Sequence, residues 1–225
     1  MKKLLLVIAA VATIGVAHEV RAASIDTLSA WDGSTGIKPF GANGSTGVYG
    51  ETFIAPGNLT SFTFEVDTSG PLHVVAQVYA WSGSLYGGNG QQGAVGPALF
   101  TSAPLTIAAT RAYQAVTVDT GSVALTPGQK YVVLLADTGG DNGQAEFGLD
   151  GLHRHPGIAG DGGFNFYNNR DVLASISGNN WDDYADFGSL AWDGEFAAPE
   201  PASIMLLGAG LIGLGVVRRR RTSVR

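Results

Sequence analysis

Three clusters hold residue types able to do chemistry. Asp137, Asp141 and Asn142, with Gly139, Gly140 and Gly143 among them, offer the carboxylate and amide oxygens that Ca²⁺ gathers. Their spacing lacks the alternating acids and closing Glu of an EF-hand loop, so the segment reads first as an acidic, solvated turn. Structural calcium is the alternative reading of this segment, and no cofactor is expected. His153 and His155 flank Arg154 and would share one face of a strand, half of a zinc or nickel site. The body has no other histidine except His73, so the pair reads as a surface loop and no metal site is assigned. Asp182, Asp183 and Asp186 surround Trp181 and Tyr184. These two aromatics are the candidate ligand contacts, with ring faces free to stack on a sugar. Trp31 and Tyr86 have similar polar neighbours, whereas Trp81 and Trp192 continue apolar strands and should pack inward.

Nucleophilic catalysis has no footing. There is no Cys and no Gly-x-Ser-x-Gly elbow, and the repeated Gly33-Ser34-Thr35-Gly36 and Gly44-Ser45-Thr46-Gly47 read as a pair of turns. Carboxylates paired for glycoside hydrolysis are set by tertiary spacing, which a sequence does not display. No catalytic residue is assigned. The expectation is a structural or ligand-binding body, with a carbohydrate-binding module or small carbohydrate-active enzyme as the alternative.

The most specific spacing lies at the C-terminus. Pro199-Glu200-Pro201 is followed by an uncharged stretch from Ala202 to Val217 and then by Arg218, Arg219, Arg220 and Arg221. Two prolines remove backbone donors and disfavour helix before them, so the box should be extended and open to an enzyme. At ~1.5 Å per residue the apolar stretch makes a helix of roughly 24 Å, short of a ~30 Å hydrocarbon core unless arginines snorkel and the bilayer thins. The arginine block should stay cytoplasmic, which leaves the rest of the chain outside.

The order of box, short Gly- and Leu-rich helix and terminal Arg block resembles a PEP-CTERM sorting signal over residues 198–221, and residues 198–225 are read as the sorting segment. That resemblance implies a bacterial export handled by an exosortase, a membrane-embedded cysteine enzyme acting near the box. Pro199, Glu200 and Pro201 would then be the processing box, and Arg218–Arg221 the stop. The family often has Val before the box, where this chain has Ala198.

The N-terminus makes the same orientation claim independently. Lys2 and Lys3 precede an uncharged run from Leu4 to Ala17, and Val20-Arg21-Ala22 offers a peptidase site. Residues 1–22 are read as a signal peptide, cut by signal peptidase after Ala22 in preference to Ala23. The precursor would be a single-pass inner-membrane protein in contact with lipid, bound for the cell surface or the extracellular matrix, where polysaccharide is a candidate partner.

Charge supports this division. Eight of the 13 basic residues lie in the first 22 and last eight positions, whereas residues 23–201 hold five (Lys38, Arg111, Lys130, Arg154, Arg170) against 18 acidic ones. So acidic a body repels phosphate backbones, which excludes nucleic acid as a partner.

Residues 23–197 must position whatever the body does. The chain's apolar content of 45% suits a folded core, and the pattern is short runs of period two. In Leu59–Asp67, Phe62, Phe64 and Val66 share one face while Ser61, Thr63 and Glu65 share the other. Leu72–Trp81 and Lys130–Ala136 are apolar on both faces, as central strands are. Further candidates are Gly47–Ile54, Ala98–Thr101, Tyr113–Asp119, Ala145–Leu149, Phe164–Tyr167 and Leu190–Phe196. Pro56-Gly57 and Pro127-Gly128 suit type II turns, and Ser69-Gly70-Pro71 suits a hairpin. Glycine-rich Ser82–Pro97 and Gly139–Gly163 are left as loops. The expected class is all-β, an antiparallel β-sandwich or jelly-roll ectodomain between a signal peptide and a C-terminal transmembrane helix. Segments Glu51–Leu59 and Leu125–Tyr131 are similar to parts of bacterial extracellular jelly-roll modules.

Overall fold

The computed structural model describes residues 23–41, 46–83, 85, 93–138, 144–149, 161–168, 182–183 and 189–197; for Lys38, Pro39, 161–168 and 182–183 it describes backbone alone. The chain divides into a unit of Ala22–Ala198 and a second of Met1–Arg21 with Pro199–Arg225, the latter outside the described residues.

The described unit is all-β apart from one 3-10 turn, Leu28–Ala30. Its strands are β1 (Ala23–Asp26), β2 (Gly36–Phe40), β3 (Val48–Ile54), β4 (Asn58–Thr68), β5 (Leu72–Ser82), β6 (Gly93–Thr101) and β7 (Leu105–Ile107), followed by β8 (Gln114–Val123), β9 (Lys130–Asp137), β10 (Ala145–Gly148), β11 (Asp161–Asn168), β12 (Asp182–Asp183) and β13 (Trp192–Ala197). Among the described residues these strands pair with one another antiparallel, and Phe40 of β2 adds an isolated parallel bridge to Thr46. One sheet has the order β1-β13-β4-β10-β2, with β8 on the other edge of β4; the second has the order β12-β11-β3-β9-β5-β6, with β7 also on β5. The chain changes sheet at most of its connections, including β2 to β3, β3 to β4 and β4 to β5.

Alternation in sequence becomes inside and outside. On β4, Phe62, Phe64 and Val66 are buried while Ser61, Thr63, Glu65 and Asp67 lie on the other face, half-exposed. The runs apolar on both faces are β5 and β9, neighbours inside the second sheet. Rings from both sheets meet between them: Phe53 of β3 lies 5.6 Å from both Trp192 and Phe196 of β13, and Tyr49 of β3 lies 5.3 Å from Phe147 of β10. Tilted and edge-on pairs of this kind add to the burial that drives the layers together. A separate apolar cluster, including Val75, Tyr79, Trp81, Val132 and Leu134, is buried on the second sheet's other face.

Turn chemistry held in part. Gly128 has φ +80° and Gln129 N–H reaches Thr126 O at 3.1 Å, the type II turn expected of Pro127-Gly128. Gly57 is different: its φ is not positive, and it is needed because a Cβ there would stand 2.5 Å from the Ala197 carbonyl. Ser69-Gly70-Pro71 makes no hairpin, because β4 and β5 belong to different sheets. Both strands already have partners with matching buried faces, so the segment is a crossing between layers. Part of the glycine-rich Ser82–Pro97 is strand, since β6 begins at Gly93; Pro97 is tolerated because β6 is an edge.

Candidate functional site

A concavity among the described residues lies at the far end of β4, on the outer face of the first sheet. It encloses about 240 Å³ between Asp67, Ser69, Arg111, Gln144, Ala145 and Glu146. Asp67 of β4 and Glu146 of β10 are register partners, so their side chains project side by side. Asp67 Oδ1 is shielded from solvent and has no hydrogen-bond partner among the described residues.

The floor is tied down by backbone and hydroxyl together. Ser69 N–H and Ser69 Oγ both donate to the Gln144 carbonyl, at 3.0 and 3.1 Å, and Gln144 N–H returns to Ser69 Oγ at 3.3 Å. Arg111 arrives from the β7–β8 connection in a left-handed conformation, φ +53°. That turn is braced by Gln114 Nε2, which donates to Ala108 O at 2.7 Å and Thr110 Oγ1 at 3.1 Å. Arg111 forms no ion pair among the described residues, although it shares the cleft with two carboxylates.

The neighbouring wall is aromatic. Tyr113 meets Trp31 edge-on at 4.7 Å, and Trp31 Nε1 donates to Thr35 O at 2.6 Å. A Cβ on Gly36 would stand 1.9 Å from the Tyr113 hydroxyl and 2.7 Å from Glu146 Oε1, so glycine is what lets these two groups sit together over β2. Burial pushes the Tyr113 hydroxyl above its ordinary pKa, and the charge of Glu146, then of Asp67 and Asp32, pushes the same way. The phenol therefore stays neutral in a negative field. Asp32 is held well below the usual carboxylate range by the Thr35 hydroxyl, then by the Thr35 and Ser34 N–H groups.

Sequence expectations meet this geometry unevenly. Trp81 and Trp192 are buried, as expected from their runs, and Trp31 is half-buried against Tyr113. Asp137 is no solvated turn residue: it ends β9 opposite Val74 and is 2% exposed. Its would-be calcium partners Asp141 and Asn142 lie outside the described residues, as do Trp181, Tyr184, Tyr86, His153 and His155. Ala23 opens β1; Ala22, Pro199, Glu200, Pro201 and Arg218–Arg221 also lie outside the described residues. Among the described residues no helix is long and apolar enough to cross a membrane, and no three His, Asp or Glu side chains are grouped to hold a metal.

The cleft residues were not singled out in sequence. Asp67 and Glu146 fall within two separate strand candidates, Leu59–Asp67 and Ala145–Leu149, with no role attached to either. The one available signal was Arg111, among just five basic residues in an acidic body.

Residues 197–221 match the family model of the PEP-CTERM protein-sorting motif. The chain carries a PEP-CTERM sorting motif. The match spans Pro199-Glu200-Pro201, the apolar stretch and the arginine block, and begins at Ala197, the last residue of β13. The PEP-CTERM motif indicates exosortase-dependent sorting of a surface protein, with an exosortase-related enzyme as processing partner and the cell envelope or surface as destination. No curated protein matches the chain. A solved structure of the cysteine protease and lectin-like domains of Cwp84, a surface layer associated protein of Clostridium difficile, is similar at 15% identity and TM-score 0.35, over 66% of this chain and 32% of that one. The chain thus spans about a third of that structure's length, and a likeness at this score carries no argument about function.

Proposed function

We propose that this is an exported surface or extracellular-matrix protein whose PEP-CTERM end is removed by an exosortase, leaving a structural or ligand-binding β-sandwich. In this reading residues 1–22 are the signal peptide, 23–197 the jelly-roll-like ectodomain and 198–225 the sorting signal. The precursor spans the inner membrane once, with Arg218–Arg221 in the cytoplasm. The body works without a catalytic residue or cofactor.

One observation carries the proposal: the sorting motif begins where β13 ends. A cut at the Pro-Glu-Pro box would remove none of Trp192, Phe196 or the rest of the described core. Processing and folding are therefore compatible in one chain.

The test replaces Pro199-Glu200-Pro201 by three alanines in the producing cell and follows size and fraction by immunoblot. Full-length protein should accumulate in the inner membrane. Release of a shortened product at the normal level would overturn the processing role. A second reading, a sugar-binding or small carbohydrate-active module, is favoured by the acidic cleft at Asp67 and Glu146. Liberation of reducing ends from a polysaccharide by the purified protein would select the enzyme over the binding module.

A further inference from the structure

We propose that the cleft between Asp67, Ser69, Arg111, Gln144 and Glu146 binds a non-anionic saccharide unit. This rests on the ligand-binding reading of the ectodomain and names its site and ligand class.

Two features of the cleft are costly without a ligand. Like charges directly opposite across antiparallel strands oppose the pairing, and Asp67 and Glu146 hold that relation on β4 and β10. A buried acceptor without a donor is also unfavourable, and Asp67 Oδ1 is one. Arg111 lines the same space without forming an ion pair among the described residues. The cleft therefore presents an acceptor seeking a donor and a donor fork seeking an acceptor.

A hydroxyl group is both donor and acceptor. A sugar ring carries several on one rigid frame, so it can donate to Asp67 and accept from Arg111 and the Gln144 amide together. A uronic acid would bring a further negative charge to a cleft that already sets two carboxylates, Asp67 and Glu146, against the single cation Arg111, and is excluded on that ground. The floor is preorganised by the Ser69–Gln144 bonds, which lowers the ordering cost that weakens binding at loose sites.

Placement fits a long polymer. Ala197, where the sorting motif begins, pairs with Asn58 at the start of β4, whereas Asp67 stands near the end of that strand. At ~3.3 Å per residue the two points are about 30 Å apart. A chain of sugars can lie in the cleft without meeting the strand end that leads into the motif.

The experiment uses full-length protein purified in detergent on an array of neutral, amino-sugar and uronic-acid oligosaccharides. Binding to the neutral or amino-sugar arm, with none to the uronic arm, is expected; which of the two arms responds identifies the unit. Asp67→Asn and Arg111→Ala should each weaken binding by about ten-fold or more. Asp193→Asn, on the same sheet face but remote from the cleft, should bind as wild type. Thermal melts of all variants establish that each is folded. No binding to the neutral and amino-sugar arms, or binding to the uronic arm alone, overturns the ligand class. Unchanged binding in folded Asp67→Asn and Arg111→Ala overturns the site while leaving an ectodomain that binds sugar elsewhere. Neither result touches the sorting assay with the altered Pro-Glu-Pro box.

Discussion

Ala23 and Phe196 are register partners across β1 and β13, so the first and last described strands are fastened side by side at one end of the first sheet. Both strands contribute to the core: Ile25 is fully buried and Phe196 is 1% exposed against Phe53. β1 lies at the sheet edge, paired with β13. Replacing Ile25 by Ala should destabilise the fold by about 3 kcal/mol, and Phe196→Ala by about 4 kcal/mol, read as urea midpoint shifts at constant slope. Loss of less than half these amounts would mean that the two ends are not integral to the core.

Gly57 is predicted to be irreplaceable for a local reason. Its Cβ would meet the backbone carbonyl of Ala197, which cannot turn away as a side-chain tip would. Gly57→Ala should cost about 1–3 kcal/mol by the overpacking it forces. It should also loosen the end of β13, detectable as faster amide exchange at Phe196 and Ala197. Wild-type exchange at those amides would refute the clash.

Glu51 offers a polar link between layers. It is fully buried on β3, and its Oε2 accepts the Leu190 N–H at 2.8 Å, 139 residues away in the chain. Glu51→Ala would strand that N–H in the interior as well as open a cavity, for a loss of about 3 kcal/mol. Glu51→Gln retains an acceptor oxygen and should lose less. Equal losses in the two variants would show that the hydrogen bond is not what matters.

Stability should depend on pH through Asp193. It faces Asp26 across β1, Thr63 across β4, and Glu195 two residues along its own strand. Burial first, then Glu195 and Asp26, push its carboxyl up to about 6 from an ordinary 3.8, against a smaller opposite pull from the Gly194 N–H. The native state therefore holds this proton more tightly than the unfolded chain. Its stabilising contribution is complete below about pH 4 and is lost as pH rises towards 6. Asp32 has the opposite sign: its lowered pKa stabilises at neutral pH, and that gain fades as pH falls below the ordinary carboxylate range. Denaturant unfolding between pH 4 and 7 should show stability declining with rising pH, and Asp193→Asn should flatten that decline. An unchanged slope in Asp193→Asn would assign the effect to other groups.

Local rules were enough for much of this protein. Period-two alternation identified the two faces of β4, and continuous apolar runs identified β5 and β9 as central, because a strand's burial is written in its own side chains. Pro127-Gly128 announced its turn because φ restrictions act within four residues. The sorting motif was legible for the same reason, since an enzyme reads it as a short linear segment. Short strands such as β1, β2 and β7 escaped notice because they have too few residues to show a period, and become strands only through their partners. Which strands pair was invisible as well: Ser69-Gly70-Pro71 looked like a hairpin, but the layers on either side made it a crossing. The cleft belongs to this second class. Asp67, Arg111 and Glu146 are scattered along the chain and share a wall only because β10 docks on β4 and the β7–β8 connection passes beside them. Sequence determines what each short segment prefers; bringing distant side chains within reach of one ligand depends on long-range pairing, and only the folded chain decides that.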